Sequence, residues 1–578
     1  MSTTHVAPER HSPDRSEPDT VVTRNLCTGA YLNRDFRNMI IRKVHNDPYH
    51  RVAPSYGFDL VPVMRSAWVA LLLEVALHTT IAASVALPAL LDRPTAALLV
   101  TCLFVLLWLM GHVPRILIEM ARLNAELTEE EWREPRKRAT QRWTNRHGRL
   151  RVLRRQLQAA LPTTLAIALV TVALGNSSDE DLALALMTLT SAGLVAAALG
   201  AVRHHRLSHV RRALVLRPGR LTPREDVVAS QQSHTYVVYR RPEHKDEEDD
   251  DPLRAGIYGK ESPFVGSGKL IHYWNPPMTV QMLRPRTGDT DATLSQLEYS
   301  TPPFEAHELV HHLTSSLRQL QHDEEHVRLK VDVRDRVYIA ETDAVMEGAI
   351  PHEEPSTSEL LHIINTPLGT RYHFVEACVS SHGGELVTTV LFRVSVTGRT
   401  LSLDLFCSAL TRTPERFLSV KNHVRPRTWA LLAAGARGLR DLQTEIPQIW
   451  RLLELPAMLA GWLWAQKYWQ IAPYWAIRTA PRVCVREKFT QEWDDVQLDK
   501  LLILDHMKII EERLLKATKD FLDARKVDTS QFEKRMLQII NSEFANIGGN
   551  AQFVNSSVGR GSQTNNSVQL QNTASENG

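Results

Sequence analysis

The apolar residues near the start of this chain fall into long runs instead of the alternating pattern of surface strands. Four such runs occupy residues 66–91, 95–118, 157–175 and 182–202. Each is close to the roughly 20 residues that a helix needs to cross a bilayer, so their length predicts four transmembrane helices. Short turns at residues 92–94 and 176–181 join them in pairs, which predicts two transmembrane hairpins. The alternative is a set of core helices in a soluble bundle.

The distribution of charge predicts how these hairpins are oriented. The loop at residues 119–156 carries eleven Lys or Arg residues, and the segment after residue 202 is again basic. Positive loops face the cytoplasm. We therefore expect a multi-pass protein of the cell membrane with both termini in the cytoplasm, including the segment 1–65. The first predicted partner is the lipid bilayer.

Polar residues inside the first run form a candidate site. Glu74 and His78 are four residues apart, so they share one face of the predicted helix. An ionisable residue at membrane depth indicates a functional site, such as a transport pathway. The alternative is a hydrogen-bonded pair that packs against a neighbouring helix. In the fourth run, Gly193 and Ala197 have the spacing of a close helix–helix contact.

Residues 203–415 change to short alternating segments, which predict a cytosolic α+β domain. Residues 371–381, 386–397 and 400–410 are separated by glycine-containing turns. This pattern is typical of a three-stranded antiparallel meander. The predicted fold class is therefore an α+β membrane protein: a four-helix transmembrane module, an antiparallel β-rich cytosolic domain and C-terminal helices.

A zinc-peptidase pattern occurs in this domain as His307-Glu308-x-x-His311. On a helix, this spacing can turn two imidazoles and a general base toward one zinc ion. However, Leu309, Val310, Leu313, Leu317 and Leu320 share one apolar arc, and both histidines point to the opposite side. We therefore predict a solvent-facing helix surface with no metal, and no catalytic or cofactor-binding residue. A zinc site remains the alternative.

Several strings of the chain resemble those of a protein group without an established activity. The strings cover residues 25–44, 52–63, 382–401 and the sequence SPFVGSG at residues 262–268. In these strings the chain resembles uncharacterised multi-span membrane proteins of actinobacteria. Because that group has no established activity, the resemblance implies no catalytic residues.

The C-terminal third contains three further patterns. Residues 416–485 are rich in tryptophan, which predicts helices on the inner membrane surface, with a re-entrant pair as the alternative. Residues 486–545 contain apolar positions that step by four and three residues, which predicts a coiled coil or a helical hairpin and self-association through residues 498–524. These positions are Ile503, Met507, Ile510, Leu514, Ala517 and Phe521. The polar tail, residues 546–578, is either disordered or self-pairing.

Composition narrows the possible functions. The net charge of +3 predicts no nucleic-acid partner, and five scattered cysteines indicate reduced thiols. The leading prediction is a non-enzymatic, membrane-anchored binding, scaffold or sensor protein with an unknown protein partner. The alternatives are a small transporter or channel that uses Glu74 and His78, and a membrane-tethered zinc peptidase.

Overall fold

A helical module and a sheet-containing body make up the computed structural model of the chain. The structure describes residues 20–133, 141–176, 179–240, 263–285, 294–322, 329–346, 354–418, 427–467 and 479–542. The predicted tail, residues 546–578, lies outside these ranges.

The helical module contains the four predicted apolar helices. They are α3 (Leu60–Leu90), α4 (Pro94–Arg133), α5 (Gln141–Gly175) and α6 (Asp179–Arg212). Each contains a segment that is long and apolar enough to cross a membrane, so this part of the prediction is confirmed. The α3–α4 turn is tight because Asp92 adopts a positive φ of 55° and Pro94 begins the next helix.

Short helices before α3 pack against its first half. They are α1 (Val21–Leu32), α2 (Arg34–Ile40) and a π-helical turn (Ile41–His45), and a further helix, α7 (Pro223–Gln231), follows α6. Thr20 caps α1 by accepting a hydrogen bond from the backbone N–H of Thr23, and Asn33 caps α2 in the same way. Leu26 and Phe36 pack in one apolar core with Val63 of α3. The first turns of α3 are therefore surrounded by protein.

The body is built on a mixed sheet, which contains seven strands in the described residues. The strands are β1 (Tyr236–Tyr239), β2 (Lys269–Tyr273), β3 (Met278–Gln281), β4 (Val331–Ala340), β5 (Arg371–Ser381), β6 (Leu386–Thr397) and β7 (Thr400–Leu410). The order is β1-β4-β5-β6-β7-β2, and β3 also pairs with β7. The predicted meander is confirmed as β5–β6–β7. The predicted antiparallel β-rich domain is corrected in one respect: the sheet is mixed, because β1 runs parallel to β4.

Helices cover one face of this sheet. They include α8 (Leu294–Leu297), α9 (Ala306–Gln319), α10 (Glu341–Met346), α11 (Thr357–Asn365), α15 (Leu498–Ala524) and α16 (Ser530–Ser542). The predicted heptad positions of α15 are buried, and Ile510 and Leu514 share a core with Leu313 of α9 and Leu403 of β7. The predicted coiled coil or helical hairpin is therefore not shown, because an apolar stripe at this spacing also fits a helix that lies on a sheet.

Self-association through residues 498–524 stays a prediction. Because the heptad positions of α15 pack on the sheet, such an association would use the outer face of this helix. Leu498 and Leu501 are exposed there, at 79% and 60% of their surface.

The tryptophan-rich segment joins the helical module. It contains α13 (Arg427–Glu445), a 3-10 helix (Ile446–Glu454) and α14 (Leu455–Lys467), whereas the short helix α12 (Glu415–Leu418), which follows β7, is counted with the body. Helix α13 runs antiparallel to α6, and a Cβ placed on Gly438 would lie 2.3 Å from the carbonyl oxygen of Ala196. Ala197 faces Gly435 in the same contact, so the predicted small-residue surface of α6 packs on α13. The expectation that residues 416–485 lie on the inner membrane surface stays a prediction.

Candidate functional site

The predicted pair Glu74 and His78 lies where α13 turns into the following 3-10 helix. The His78 side chain is buried, and its Nε2 lies 3.0 Å from Oε2 of Glu445, the last residue of α13. Glu74 lies one helical turn earlier on α3 and accepts hydrogen bonds from arginines. The structure therefore gives both residues partners that are distant in sequence.

Arginines from α2 neutralise the two carboxylates. Nη2 of Arg34 lies 2.8 Å from Oε1 of Glu74 and 2.7 Å from Oε2 of Glu445. Arg37 donates to the second oxygen of Glu74, and Arg451 of the 3-10 helix lies 3.8 Å from the first. We call this cluster the ionic junction. Its members are Arg34, Arg37, Glu74, His78, Glu445 and Arg451.

The ionic junction is largely withdrawn from solvent. The side chains of Arg37 and Glu74 are only 7% and 12% exposed. Burial is the main cause that lowers the pKa of Arg37 to about 9, and the charge of Arg34 contributes to this shift. Burial alone would raise the pKa of Glu445, but the hydrogen bond from His78 and the charge of Arg34 bring it below its usual value. Mutual pairing thus keeps these groups charged.

The body holds the arginine-bearing helix in place. Phe36, between Arg34 and Arg37, is fully buried, and its ring centroid lies 5.0 Å from that of Phe417 and 4.9 Å from that of Phe489. Phe417 follows β7, and Phe489 precedes α15. Helix α2 is therefore anchored in the body by an aromatic cluster, while its arginines bind the helical module.

The spacing of the acidic groups and the histidine raises the possibility of a metal ion. The ligand atoms of Glu74, His78 and Glu445 all lie within 4.8 Å of one another. However, oxygens of both carboxylates already accept from Arg34, and Arg37 occupies the second oxygen of Glu74. Three guanidinium groups would repel a divalent cation at this distance. The arrangement fits a network of ion pairs better than a metal centre.

The histidine motif lies at the start of α9, far from the ionic junction in the sequence. Glu308 accepts from the backbone N–H of Glu305 and forms an ion pair with Arg525, the residue after α15. Nδ1 of His307 lies 3.3 Å from Oδ1 of Asn365, and His311 is exposed. Within the described ranges, these three residues do not form a cluster with converging ligand atoms. The five apolar residues predicted to face the core are all buried.

Sequence reasoning missed Arg34, Arg37, Glu445 and Arg451. A buried Glu74 requires a cation nearby, but the chain offers 68 Lys and Arg residues and no local signal that selects among them. The partners of Glu74 lie 37 and 40 residues before it and 377 residues after it. Only the fold brings them together.

The strings that carry the resemblance meet at one place in the structure. Asn25 of α1 donates to Glu385, next to the β5–β6 turn. A Cβ on Gly384 would lie 2.5 Å from the carbonyl oxygen of Gly57, and one on Gly266 would lie 2.6 Å from that of Pro54. Glycine is therefore required where the N-terminal segment crosses the body.

Comparison with protein families identifies one domain. Residues 274–555 match the model of the AbeC-like domain, an uncharacterised domain family. The main apolar core of the body also begins at Trp274 and extends to Phe532. The match therefore covers most of the sheet and the C-terminal helices, and it includes α13 and α14, which pack in the helical module. Searches of curated proteins and of solved structures found no match to the chain.

Proposed function

We propose that the chain is a membrane-anchored binding, scaffold or sensor protein without enzymatic activity. In this proposal α3–α6 cross the cell membrane, and the body binds a protein partner in the cytoplasm. The ionic junction carries the proposal. Arginines anchored to the body by Phe36 neutralise Glu74 of α3, so this acid attaches the body to the membrane helices.

The position of Glu74 along α3 supports this arrangement. Glu74 precedes Leu90 by 16 residues, which corresponds to about 24 Å of helix. The hydrocarbon core of a bilayer is about 30 Å thick. If α3 ends at the outer surface, Glu74 lies near the inner boundary of the hydrocarbon, and the preceding turns extend into the cytoplasm. Their burial among α1, α2 and α7 agrees with such an extension.

The same geometry supports a sensing role. Helix α2 contacts the body through Phe36 and contacts α3 through Arg34 and Arg37. A movement of the body on ligand or partner binding would therefore pull on the arginine pairs. Because ion pairs of low exposure depend strongly on geometry, the junction is suited to pass such a movement to α3.

The anchoring proposal is tested by cysteine labelling of the full chain in intact cells. Leu91→Cys places a thiol in the exposed α3–α4 turn, and Lys516→Cys places one on the exposed side of α15. We expect a membrane-impermeant maleimide to label Leu91→Cys directly and Lys516→Cys only after permeabilisation. The parent chain, whose described cysteines are buried or half-buried, gives the background. Labelling of Lys516→Cys in intact cells, or recovery of the protein in the soluble fraction, would contradict the proposal.

A transporter that uses Glu74 and His78 is a weaker proposal. A small cleft adjoins these residues, but a transported ion would have to displace the arginines from Glu74.

The zinc-peptidase alternative would require the ion pair between Glu308 and Arg525 to break. Replacing His307, Glu308 and His311 together by alanine should change the free energy of unfolding by no more than about 1 kcal/mol, because all three lie at the surface. We expect the purified parent chain to contain no stoichiometric zinc. Zinc that is present in the parent and lost in the triple variant would restore the peptidase.

A further inference from the structure

The 3-10 helix between α13 and α14 has three distinct faces. A 3-10 helix has three residues per turn, so side chains at positions i and i+3 lie above one another. The three faces are formed by Ile446, Ile449 and Leu452, by Gln448, Arg451 and Glu454, and by Pro447, Trp450 and Leu453. Each face has different surroundings in the fold.

The first face packs into the helical module. Ile446 and Ile449 contact the apolar core that contains Leu77 and Ile81 of α3. Leu442, in the last turn of α13, is only 2% exposed in the same core. The 3-10 helix is therefore held at the level of the apolar part of α3.

The second face is polar and binds other parts of the protein. Arg451 belongs to the ionic junction and lies 3.8 Å from Glu74. Gln448 accepts a hydrogen bond from Arg34, and Glu454 forms an ion pair with Arg42. Since all three polar side chains have partners on the protein, this face does not need water.

The third face is apolar and exposed. Trp450 and Leu453 are exposed at 56% and 81% of their surface, and Pro447 beside them is also exposed. We call Pro447, Trp450 and Leu453 the apolar ridge. Helix α14, which follows, exposes Leu459 and Leu463 at 41% and 61%. Grouped apolar side chains on a surface indicate contact with another protein or with a membrane.

Contacts with α3 fix the depth of the apolar ridge. Glu445, which directly precedes the 3-10 helix, contacts His78, and Arg451 lies beside Glu74. His78 and Glu74 precede Leu90 by 12 and 16 residues, or about 18 and 24 Å of helix. If α3 ends at the outer surface, these levels lie about 12 and 6 Å inside the inner boundary of a hydrocarbon layer about 30 Å thick. The ridge is then level with acyl chains close to the inner headgroups.

The residue types around the ridge suit this depth. Tryptophan is enriched where the hydrocarbon meets the headgroups, and Trp450 is the largest side chain of the ridge. Arg437 is exposed and precedes Glu445 by eight residues of α13, or about 12 Å of helix. Its charge therefore lies at the level of the inner headgroups. Exposed charge and exposed apolar surface thus separate along this segment as they do across the inner leaflet.

We propose that the apolar ridge is a lipid-binding surface that inserts between acyl chains of the inner leaflet. This inference rests on the proposed membrane anchoring and goes beyond it, because the ridge lies outside the four long apolar helices. Its depth is intermediate between that of surface helices and that of a re-entrant pair. Because the polar face of the same 3-10 helix contacts Glu74 and Arg34, the ridge connects the inner leaflet to the ionic junction.

The test measures the depth of a fluorophore on the ridge. Leu453→Cys and Trp450→Cys are labelled with a thiol-reactive NBD fluorophore in detergent, and the full chain is reconstituted into vesicles of phosphatidylcholine and phosphatidylglycerol. Quenching is compared for three quenchers: a nitroxide on the acyl chain near the headgroup, a nitroxide near the chain end, and aqueous iodide on both sides. The parent chain, labelled in the same way, gives the background.

We expect both ridge probes to lose most of their emission with the nitroxide near the headgroup. The nitroxide near the chain end should quench them less, and iodide should quench them least. Both substituted positions are exposed, so the fold should persist in each variant.

Two control positions separate the ridge from the anchoring proposal. Leu165→Cys lies within the apolar part of α5 at a position that is 64% exposed, and Lys516→Cys lies on the exposed side of α15. The nitroxide near the chain end should quench the first most strongly, and iodide the second. If neither nitroxide quenched Leu165→Cys, the anchoring proposal would fail, and the ridge inference would fail with it.

Three results would overturn the ridge inference alone while Leu165→Cys is quenched as expected. Strong quenching of the ridge probes by iodide would place the ridge in water. Shielding from all three quenchers, together with disulfide-linked dimers of unlabelled Leu453→Cys, would assign the ridge to a second copy of the chain. Stronger quenching by the nitroxide near the chain end would place the ridge deep in the bilayer, as in a re-entrant pair.

Discussion

Glu74→Gln should loosen α2 from the helical module. The substitution keeps the shape of the side chain but leaves Arg37, whose side chain is 7% exposed, without its carboxylate. Arg34 retains Glu445. Removing one partner of such a pair costs about 2–4 kcal/mol, because the remaining charge stays buried. That free energy corresponds to a factor of about 30 to 1,000 in the local opening equilibrium.

Hydrogen exchange of the backbone amides of residues 34–45 measures this opening directly, because α2 and the following π-helical turn must detach for exchange to occur. Glu454→Gln is the matched control. Glu454 pairs with Arg42 of the same segment, but these side chains are 34% and 50% exposed. The loss of an exposed pair should change exchange by less than about fivefold. Equal exchange in Glu74→Gln and the parent, or equal acceleration in both variants, would refute the reasoning.

Three other substitutions test the packing and the pH response. Gly438→Ala should destabilise the contact of α13 with α6 by about 1–3 kcal/mol, because its Cβ would meet backbone. Gly148→Ala is the control: its Cβ would meet nothing within 4 Å, so its melting temperature should be unchanged or higher. Ile510→Asp should make the body sensitive to proteolysis, because the residue is fully buried. Leu501→Asp, at an exposed position, should not. If Ile510→Asp instead separated associated copies of the chain without proteolysis, the coiled-coil prediction would be supported. Burial lowers the pKa of His45 to about 4. As pH falls, the unfolded chain therefore protonates this histidine before the folded chain does, and about 3 kcal/mol of stability that is present above pH 6.5 is lost as pH falls toward 4. In His45→Gln, the free energy of unfolding measured with denaturant should depend less on pH across that window. A pH dependence equal to that of the parent would contradict this.

The sequence predicted those features that depend on local patterns. The four apolar runs indicated α3–α6 because their length alone distinguishes them. The alternating segment at residues 400–410 indicated β7, and its residues Leu401, Leu403 and Leu405 are buried. The apolar face of α9 followed from the helical period. In each case the pattern and the element occupy the same stretch of chain.

Other features depend on contacts that no local pattern encodes. The apolar stripe of α15 shows that one face is buried, but not whether a second copy or the sheet covers it. The parallel pairing of β1 with β4 joins strands about 100 residues apart. Likewise, Glu74 and His78 were recognisable as unusual, but their partners on α2, α13 and the 3-10 helix came only from the fold. The structure supports their interpretation as packed polar residues more than their use in transport.

The central claim is that the Arg37–Glu74 pair couples the body to the helical module. A double-mutant cycle with Arg37→Gln, Glu74→Gln and the combined variant tests it most directly, with exchange of residues 34–45 as the readout. We predict that the combined variant loses about as much protection as the more damaging single variant, with a coupling free energy above about 1.5 kcal/mol. Losses that add to within about 0.5 kcal/mol would show that the two residues act independently, and they would contradict the claim.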